Sequence, residues 1–148
     1  MITSDRQLAV AHEQLARLQA ALDAPQRTDI PAKFIEANQQ KIKADMARID
    51  SEIQEYESLK HLTVEEIQID SIEDLLKAPI KYRLASHLTV DEFARQVELN
   101  VRNIQRYEAA EYQSVQLSIL VDILKKLNLH VRGAFSKNGS LSKILSDV

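Results

Sequence analysis

A short stretch in the second half of the chain concentrates polar side chains that can hold nucleic acid. Arg102 and Arg106 present guanidinium groups, which bind phosphate oxygens and the guanine edge. Asn103 and Gln105 carry carboxamides, which pair with adenine. A solvated helix more often carries Glu and Lys at such positions, and neither occurs here before Glu108. The residue types predict hydrogen bonding to bases and phosphates. A surface helix of a protein–protein module is the alternative.

These side chains belong to a pattern that predicts two short helices joined by a tight turn, at 89–97 and 101–108. Thr89 with Glu92 three residues later is a capping-box start, and Asn100 is a good N-cap for the second helix. Such a pair can place a helix end in the major groove of DNA. The apolar side chains expected to face inward are Phe93, Ala94, Val97, Leu99, Ile104 and Tyr107.

The sequence from 71 to 131 resembles the helix-turn-helix domain of the Xre and phage-repressor class. The resemblance runs through LTVDEFARQVELN, the ending IQRYE and the closing helix SVQLSILVDILKKLNL. It implies a five-helix domain that binds double-stranded operator DNA, expected to be palindromic, as a dimer and usually represses transcription. The residues that it assigns to DNA are Thr89, Asn100, Val101, Arg102, Asn103, Gln105 and Arg106.

The resemblance also implies different roles within that set. Arg102 and Asn103 lie in the first turn of the recognition helix and are expected to read bases. Val101 could contact a thymine methyl group. Arg106 is expected on a phosphate or bridging to Glu108.

Three positions depart from the class pattern. Val90 stands where the class often has a glutamine that contacts DNA, and His87 and Glu98 stand where glycines are usual. A residue other than glycine can take a left-handed turn conformation at some cost. The carboxylate of Glu98 would not help binding near phosphates.

Two amphipathic helices of unequal length are predicted ahead of this unit, at 5–24 and 32–60, as an antiparallel hairpin. The whole chain resembles bacterial Xre-type regulators that carry an N-terminal helical hairpin. Two helices alone cannot bury the wide apolar seam of the second one, so we expect a homodimer. Packing of the hairpin onto the C-terminal domain is the alternative. The seam residues predicted for dimerisation or partner binding are Ile35, Ile42, Met46, Ile49, Ile53 and Tyr56.

The predicted fold is all-α, with a hairpin at 1–60, a linker at 61–70, a helix-turn-helix domain at 71–135 and a tail at 136–148. Because Pro79 divides one helical pattern, the remaining helices of that domain are predicted at 71–77, 79–86 and 115–127. Alternating residues at 66–70 and 129–132 predict two short strands, which could pair into a small sheet.

Composition excludes several classes of function. The chain has no cysteine and only two glycines, so disulfides, thiol chemistry and phosphate-binding glycine loops are not expected. Its four histidines are scattered, and no nucleophile motif occurs, so no enzyme, metal or cofactor is predicted. No apolar run reaches membrane-spanning length, which predicts a cytoplasmic protein with no membrane partner. The net charge is −3, yet residues 81–148 carry ten basic and seven acidic side chains.

These observations predict a sequence-specific DNA-binding transcriptional regulator, in the form of a dimeric repressor at the promoter of its own operon. The rival prediction is an antitoxin that neutralises a toxin through the hairpin as well as binding operator DNA. A third is an adaptor that has kept the fold and lost DNA binding, which the net charge, Val90 and Glu98 favour.

Overall fold

The computed structural model describes residues 1–137, apart from the side chain of Glu66, and all regular secondary structure in that range is helical. No strand forms within residues 1–137. A 3-10 turn, Val64–Glu66, lies between the second and third helices. The α-helices are α1 Asp5–Asp23, α2 Ala32–His61, α3 Ile72–Ala85, α4 Val90–Gln96, α5 Val101–Ala109 and α6 Leu117–Lys126. None of these helices is long and apolar enough to cross a membrane. The predicted all-α class is confirmed.

Helices α1 and α2 pack side by side and run in opposite directions. Asp5, at the start of α1, accepts hydrogen bonds from Tyr56 (3.0 Å) and Lys60 in the last turns of α2. At the other end, Leu22 of α1 and Ile35 of α2 line one cavity. No residue from 12 to 48 is buried, so the distal half of this pair projects away from the main core.

The C-terminal half of α2 packs against the rest of the chain. Its side chains Ile49, Ile53, Tyr56 and Leu59 are buried and join the main apolar cluster. The other buried members of that cluster are Ile2, Ala11, Ile80, Leu84, Phe93, Ala94, Val97, Ile104, Tyr107, Tyr112, Leu120, Ile123 and Leu127. One core therefore includes residues from both ends of the described chain.

The predicted division at Pro79 is wrong. Helix α3 is continuous through Pro79, which is itself buried between Ala78 and Ile80. An interior proline costs about 3 kcal/mol because it removes a helical hydrogen bond and crowds the preceding turn. Burial of the apolar face of α3 offsets this cost. The C-terminal region thus has four α-helices, α3 to α6, and not the five that were predicted.

The predicted two-stranded sheet does not form. Residues 66–70 and 129–132 run beside the same groove without pairing, and part of the first segment is the 3-10 turn. An isolated strand pair is only marginally stable in water. Here Ile67, Ile69 and Leu129 are instead half-buried.

Helices α3, α4 and α6 each end on a left-handed residue followed by a leucine. The left-handed residues are His87 (φ 54°), Glu98 (φ 55°) and Asn128 (φ 55°). In each case the leucine N–H bonds to a carbonyl five residues earlier, as Leu99 does to Ala94 at 2.9 Å. This termination satisfies the last carbonyls of a helix and turns the chain sharply. It explains how this chain makes compact turns without glycine.

Candidate nucleic-acid interface

The α4–α5 pair is built around a turn of four residues, 97–100. Glu98 supplies the left-handed conformation, and Leu99 folds back toward the core as a half-buried side chain. Asn100 then starts α5, because its side-chain oxygen accepts a hydrogen bond from the Arg102 N–H at 2.8 Å. The two ends of the turn are therefore fixed by local hydrogen bonds.

One face of α5 is anchored in the core. Ile104 is completely buried, and Tyr107 and Glu108 are also buried. Phe93, Ala94 and Val97 belong to the same apolar cluster, as the sequence predicts. Because helical neighbours repeat every three to four residues, this anchoring turns the other face outward. That face carries exposed Arg102, Gln105 and Arg106, with half-buried Val101 and Asn103 beside them.

Two side chains on the outer face of α5 have free hydrogen-bonding capacity. Within residues 1–137, neither the Arg102 guanidinium nor the Gln105 carboxamide has a protein partner. Arg106 donates weakly to Asn103 at 3.4 Å, and its guanidinium carbon lies 5.3 Å from the centre of the Tyr107 ring. These guanidinium groups and carboxamides can bind an anionic or polar ligand without first breaking a strong internal contact.

The expected Arg106–Glu108 bridge is wrong. Glu108 is buried and binds Arg83 of α3 through both carboxylate oxygens, at 2.6 and 2.9 Å. Arg83 also donates to the carbonyl of Leu88 at 3.1 Å and to that of Thr3 at 2.9 Å. This guanidinium joins α3, the end of α5 and the segment before α1. Arg106 is left exposed, which keeps it available for a phosphate.

Sequence reasoning missed the role of Arg83. The available signal was a polar residue at the end of the IQRYE motif, on the side of α5 that also carries Ile104. A buried carboxylate requires a cation and donors around it. The motif thus required a basic partner, but its position on α3 depends on tertiary structure.

Thr89 and Asn100 serve first as helix caps. Thr89 Oγ1 accepts from the Glu92 N–H at 3.2 Å, and the Glu92 carboxylate accepts from the Thr89 N–H at 2.8 Å. This backbone hydrogen bond lowers the pKa of Glu92, and the Thr89 hydroxyl adds to the effect. The side-chain N–H groups of Asn100 have no partner within residues 1–137 and face no internal competition.

A lysine neutralises the carboxylate in the turn. Lys126, at the end of α6, lies 3.0 Å from Glu98 and 3.1 Å from Asp122, and donates to the Val97 carbonyl at 3.2 Å. The hydrogen bond to Glu98 is the main reason that the pKa of Lys126 is raised. Glu98 is thus less repulsive to a nearby phosphate than its charge alone predicts.

The predicted partner-binding residues of α2 fall into two groups. Ile49, Ile53 and Tyr56 are buried against the rest of the same chain and have no free surface for a partner. Ile35, Ile42 and Met46 are half-buried on the distal half of α2. For Ile49, Ile53 and Tyr56, the structure agrees with the alternative prediction that the hairpin packs onto the rest of the same chain.

No family model, curated protein or solved structure matched the chain. Within residues 1–137, no three His, Cys, Asp or Glu side chains cluster closely enough to hold a metal ion. The residues of α4 and α5 and their geometry therefore define the candidate nucleic-acid interface.

Proposed function

We propose that the protein is a cytoplasmic, sequence-specific DNA-binding transcriptional regulator of the helix-turn-helix type, acting as a dimeric repressor at the promoter of its own operon. The observation that carries the proposal is the outer face of α5. It presents Arg102 and Gln105, which have no side-chain partner among residues 1–137, on a helix whose opposite face is anchored by Ile104 and Glu108. A rigid helix with unpaired donors at its exposed start suits recognition of base edges.

In this proposal α5 enters the major groove, where Arg102 and Asn103 bind base edges. Val101 would contact a thymine methyl group, and Arg106 would bind a phosphate. Two copies would read half-sites about 34 Å apart, one turn of the double helix. Occupation of such a palindrome would block RNA polymerase.

The experiment compares DNA selected from a random-sequence pool by the full chain with binding by two double variants. Arg102→Ala with Asn103→Ala should weaken binding to the selected sequence by at least about 30-fold, since each base contact contributes about 1–3 kcal/mol. The matched control, Arg17→Ala with Asn38→Ala, removes the same side-chain types from exposed positions on α1 and α2. It should bind like the parent chain.

Circular dichroism must show that both variants are folded. Unchanged affinity and sequence preference in the Arg102/Asn103 variant would reject α5 as the recognition helix. Binding should also weaken steeply between 50 and 200 mM salt, because phosphate contacts release counterions. A full chain that selects no sequence at low salt would favour the adaptor function instead.

A second candidate function, an antitoxin, is favoured by the distal end of the α1–α2 pair. There Phe34 is 68 % exposed, and Ile30 is also exposed. Both side chains line a cavity of about 280 Å³ with Leu22 and Ile42. An apolar surface at a projecting end is suited to a protein partner.

The test of the antitoxin function uses the full chain, since removing residues 1–60 would delete Ile49 and Ile53 from the core. Phe34→Asp should abolish rescue from a co-expressed toxin of the same operon while DNA binding persists. Rescue equal to that of the parent chain would reject this end as the toxin-binding surface.

A further inference from the structure

A groove with both apolar and polar lining lies between the linker and the end of the helical core. It has a volume of about 570 Å³ and is lined by Ile67, Ile69, Tyr82, Leu124, Leu129 and Val131, among others. The linker forms one side and the segment after α6 another. The two segments that were expected to pair as strands thus border an open groove, which leaves room for additional side chains.

The segment after α6 has the pattern of an unpaired strand. Leu129, Val131 and Phe135 alternate with polar or small residues, and Phe135 is 96 % exposed. Within residues 1–137, residues 130–135 make no hydrogen bond. An exposed strand-like edge with a large aromatic residue is a surface that proteins normally cover.

The same chain does not place Phe135 in its own groove, although Val131 lines that groove. Phe135 comes four residues later, which in an extended chain is a distance of about 13 Å. This reach suits a groove on an adjacent copy.

Charge complementarity favours a second copy as the occupant. Residues 61–70 carry three acidic side chains and no Lys or Arg, whereas residues 129–137 carry Arg132 and Lys137 and no acidic side chain. Apposition of one copy's 132–137 with the other's 61–70 would bring opposite charges together. In a twofold arrangement each copy supplies both surfaces, so the contact forms twice.

We propose that the segment 132–135 of one copy docks in the groove of a second copy, with Phe135 between the linker and α3, and that this reciprocal contact holds a homodimer. Two buried phenylalanines would together cover about 300–500 Å², and a stable interface needs about 1,200 Å² in total. The other residues of 132–135 and the walls of the groove would supply the remainder.

The role of this dimer rests on the proposed function, because two copies are needed to read a palindrome. The groove is close to the α4–α5 pair. Tyr82, on its wall, accepts a hydrogen bond from Gln96 of α4 at 3.3 Å. Lys126 lies beside Leu124 and Leu127 at the end of α6 and binds the turn at Val97. Docking there would set the spacing of the two α5 helices.

The first test is disulfide cross-linking in the full chain, which contains no cysteine of its own. Ala134→Cys combined with Gln68→Cys, which leaves Phe135 and Ile67 in place, should give a covalent dimer under mild oxidation, at protein concentrations where either single variant gives little. An intramolecular disulfide in a monomer would overturn the proposal, since Phe135 would then occupy its own groove. Absence of any cross-link in the folded double variant would also overturn it.

The second test measures the dimer dissociation constant by sedimentation equilibrium. Phe135→Asp should raise it about 30-fold or more, the size of a central interface residue, whereas the matched control Phe34→Asp should leave it unchanged. A dissociation constant that is raised by Phe34→Asp and unchanged by Phe135→Asp would place the dimer contact on the α1–α2 pair.

Both tests are carried out without DNA. A chain that dimerises through Phe135 but selects no DNA sequence would reject the proposed function and keep this contact. A chain that binds a palindrome as a dimer unaffected by Phe135→Asp would keep the proposed function and reject this contact.

Discussion

Replacing Arg83 by methionine tests the most connected polar contact of the core. The Arg83 side chain is only 6 % exposed, and it makes four hydrogen bonds, two of them to the Glu108 carboxylate. Methionine fills similar space without charge or donors. The substitution therefore leaves Glu108 buried without a cation and removes a donor from the carbonyls of Leu88 and Thr3.

The expected loss follows from the burial of the carboxylate. Removing one partner of a buried ion pair typically costs about 3–5 kcal/mol, against about 5–15 kcal/mol for the whole free energy of unfolding. For a chain of this size the melting temperature should fall by about 6–20 °C. Adding Glu108→Leu to Arg83→Met should restore all but about 2 kcal/mol, because the stranded charge is gone and only two carbonyl contacts stay unmade.

The assay is equilibrium urea unfolding, followed by circular dichroism, of the parent chain, both single variants and the double variant. The double-mutant cycle should give a coupling energy of at least about 2 kcal/mol between positions 83 and 108. Arg83→Lys, which keeps the charge without the two-pronged geometry, should fall between the parent and Arg83→Met. A loss below about 1 kcal/mol in Arg83→Met, or additive single effects, would refute this account of the core.

Three further predictions concern other polar groups. Tyr112 has a buried hydroxyl without a partner within residues 1–137, so Tyr112→Phe should raise the unfolding free energy by about 1 kcal/mol in urea; a decrease would contradict this. Thr89→Ala should lower it by about 1 kcal/mol through loss of the cap to Glu92, while Thr89→Ser should retain most of it. Hydrogen bonding to Lys60 holds the pKa of Asp5 below its ordinary value of 3.8, so its contribution is present above about pH 4 and is lost as the pH falls through the lowered value. The stability difference between the parent and Asp5→Asn should accordingly shrink as the pH falls below about 4; a difference independent of pH would show that the charge of Asp5 plays no part.

Helices with regular periodicity and local caps were predictable from sequence. The second hairpin helix was predicted at 32–60 and extends over Ala32–His61, and the predicted 101–108 helix extends over Val101–Ala109. The periodicity and the caps involve residues that lie within a few positions of one another, so they can be recognised from the sequence alone. Pro79 shows the limit. A local rule ended the helix there, but burial of the residues around it kept the helix intact.

The wrong strand prediction has a similar cause. Alternation at Ile67 and Ile69 is compatible with a strand and with an extended linker that buries every second residue. Only the position of α3 and α6 decides between them. The α2 seam is ambiguous in the same way, because Ile49 and Ile42 share one heptad pattern although the first is buried in the main core and the second is only half-buried on the distal half of α2.

The polar residues of α4, α5 and their turn divide into two groups. This division identifies the candidate DNA-contacting side chains more narrowly than residue type alone does. Thr89, Glu98 and Glu108 are committed to capping or to cations of neighbouring helices, and each stabilises the fold. Arg102 and Gln105 have no such contact within residues 1–137, so the structure gives them no stabilising role. Neutral substitution of Arg102 or Gln105 should lower DNA affinity and leave the free energy of unfolding unchanged. Substitution of a residue in the first group should lower both. Comparing urea unfolding with DNA affinity for one variant from each group therefore separates the residues that hold α5 from those that use it.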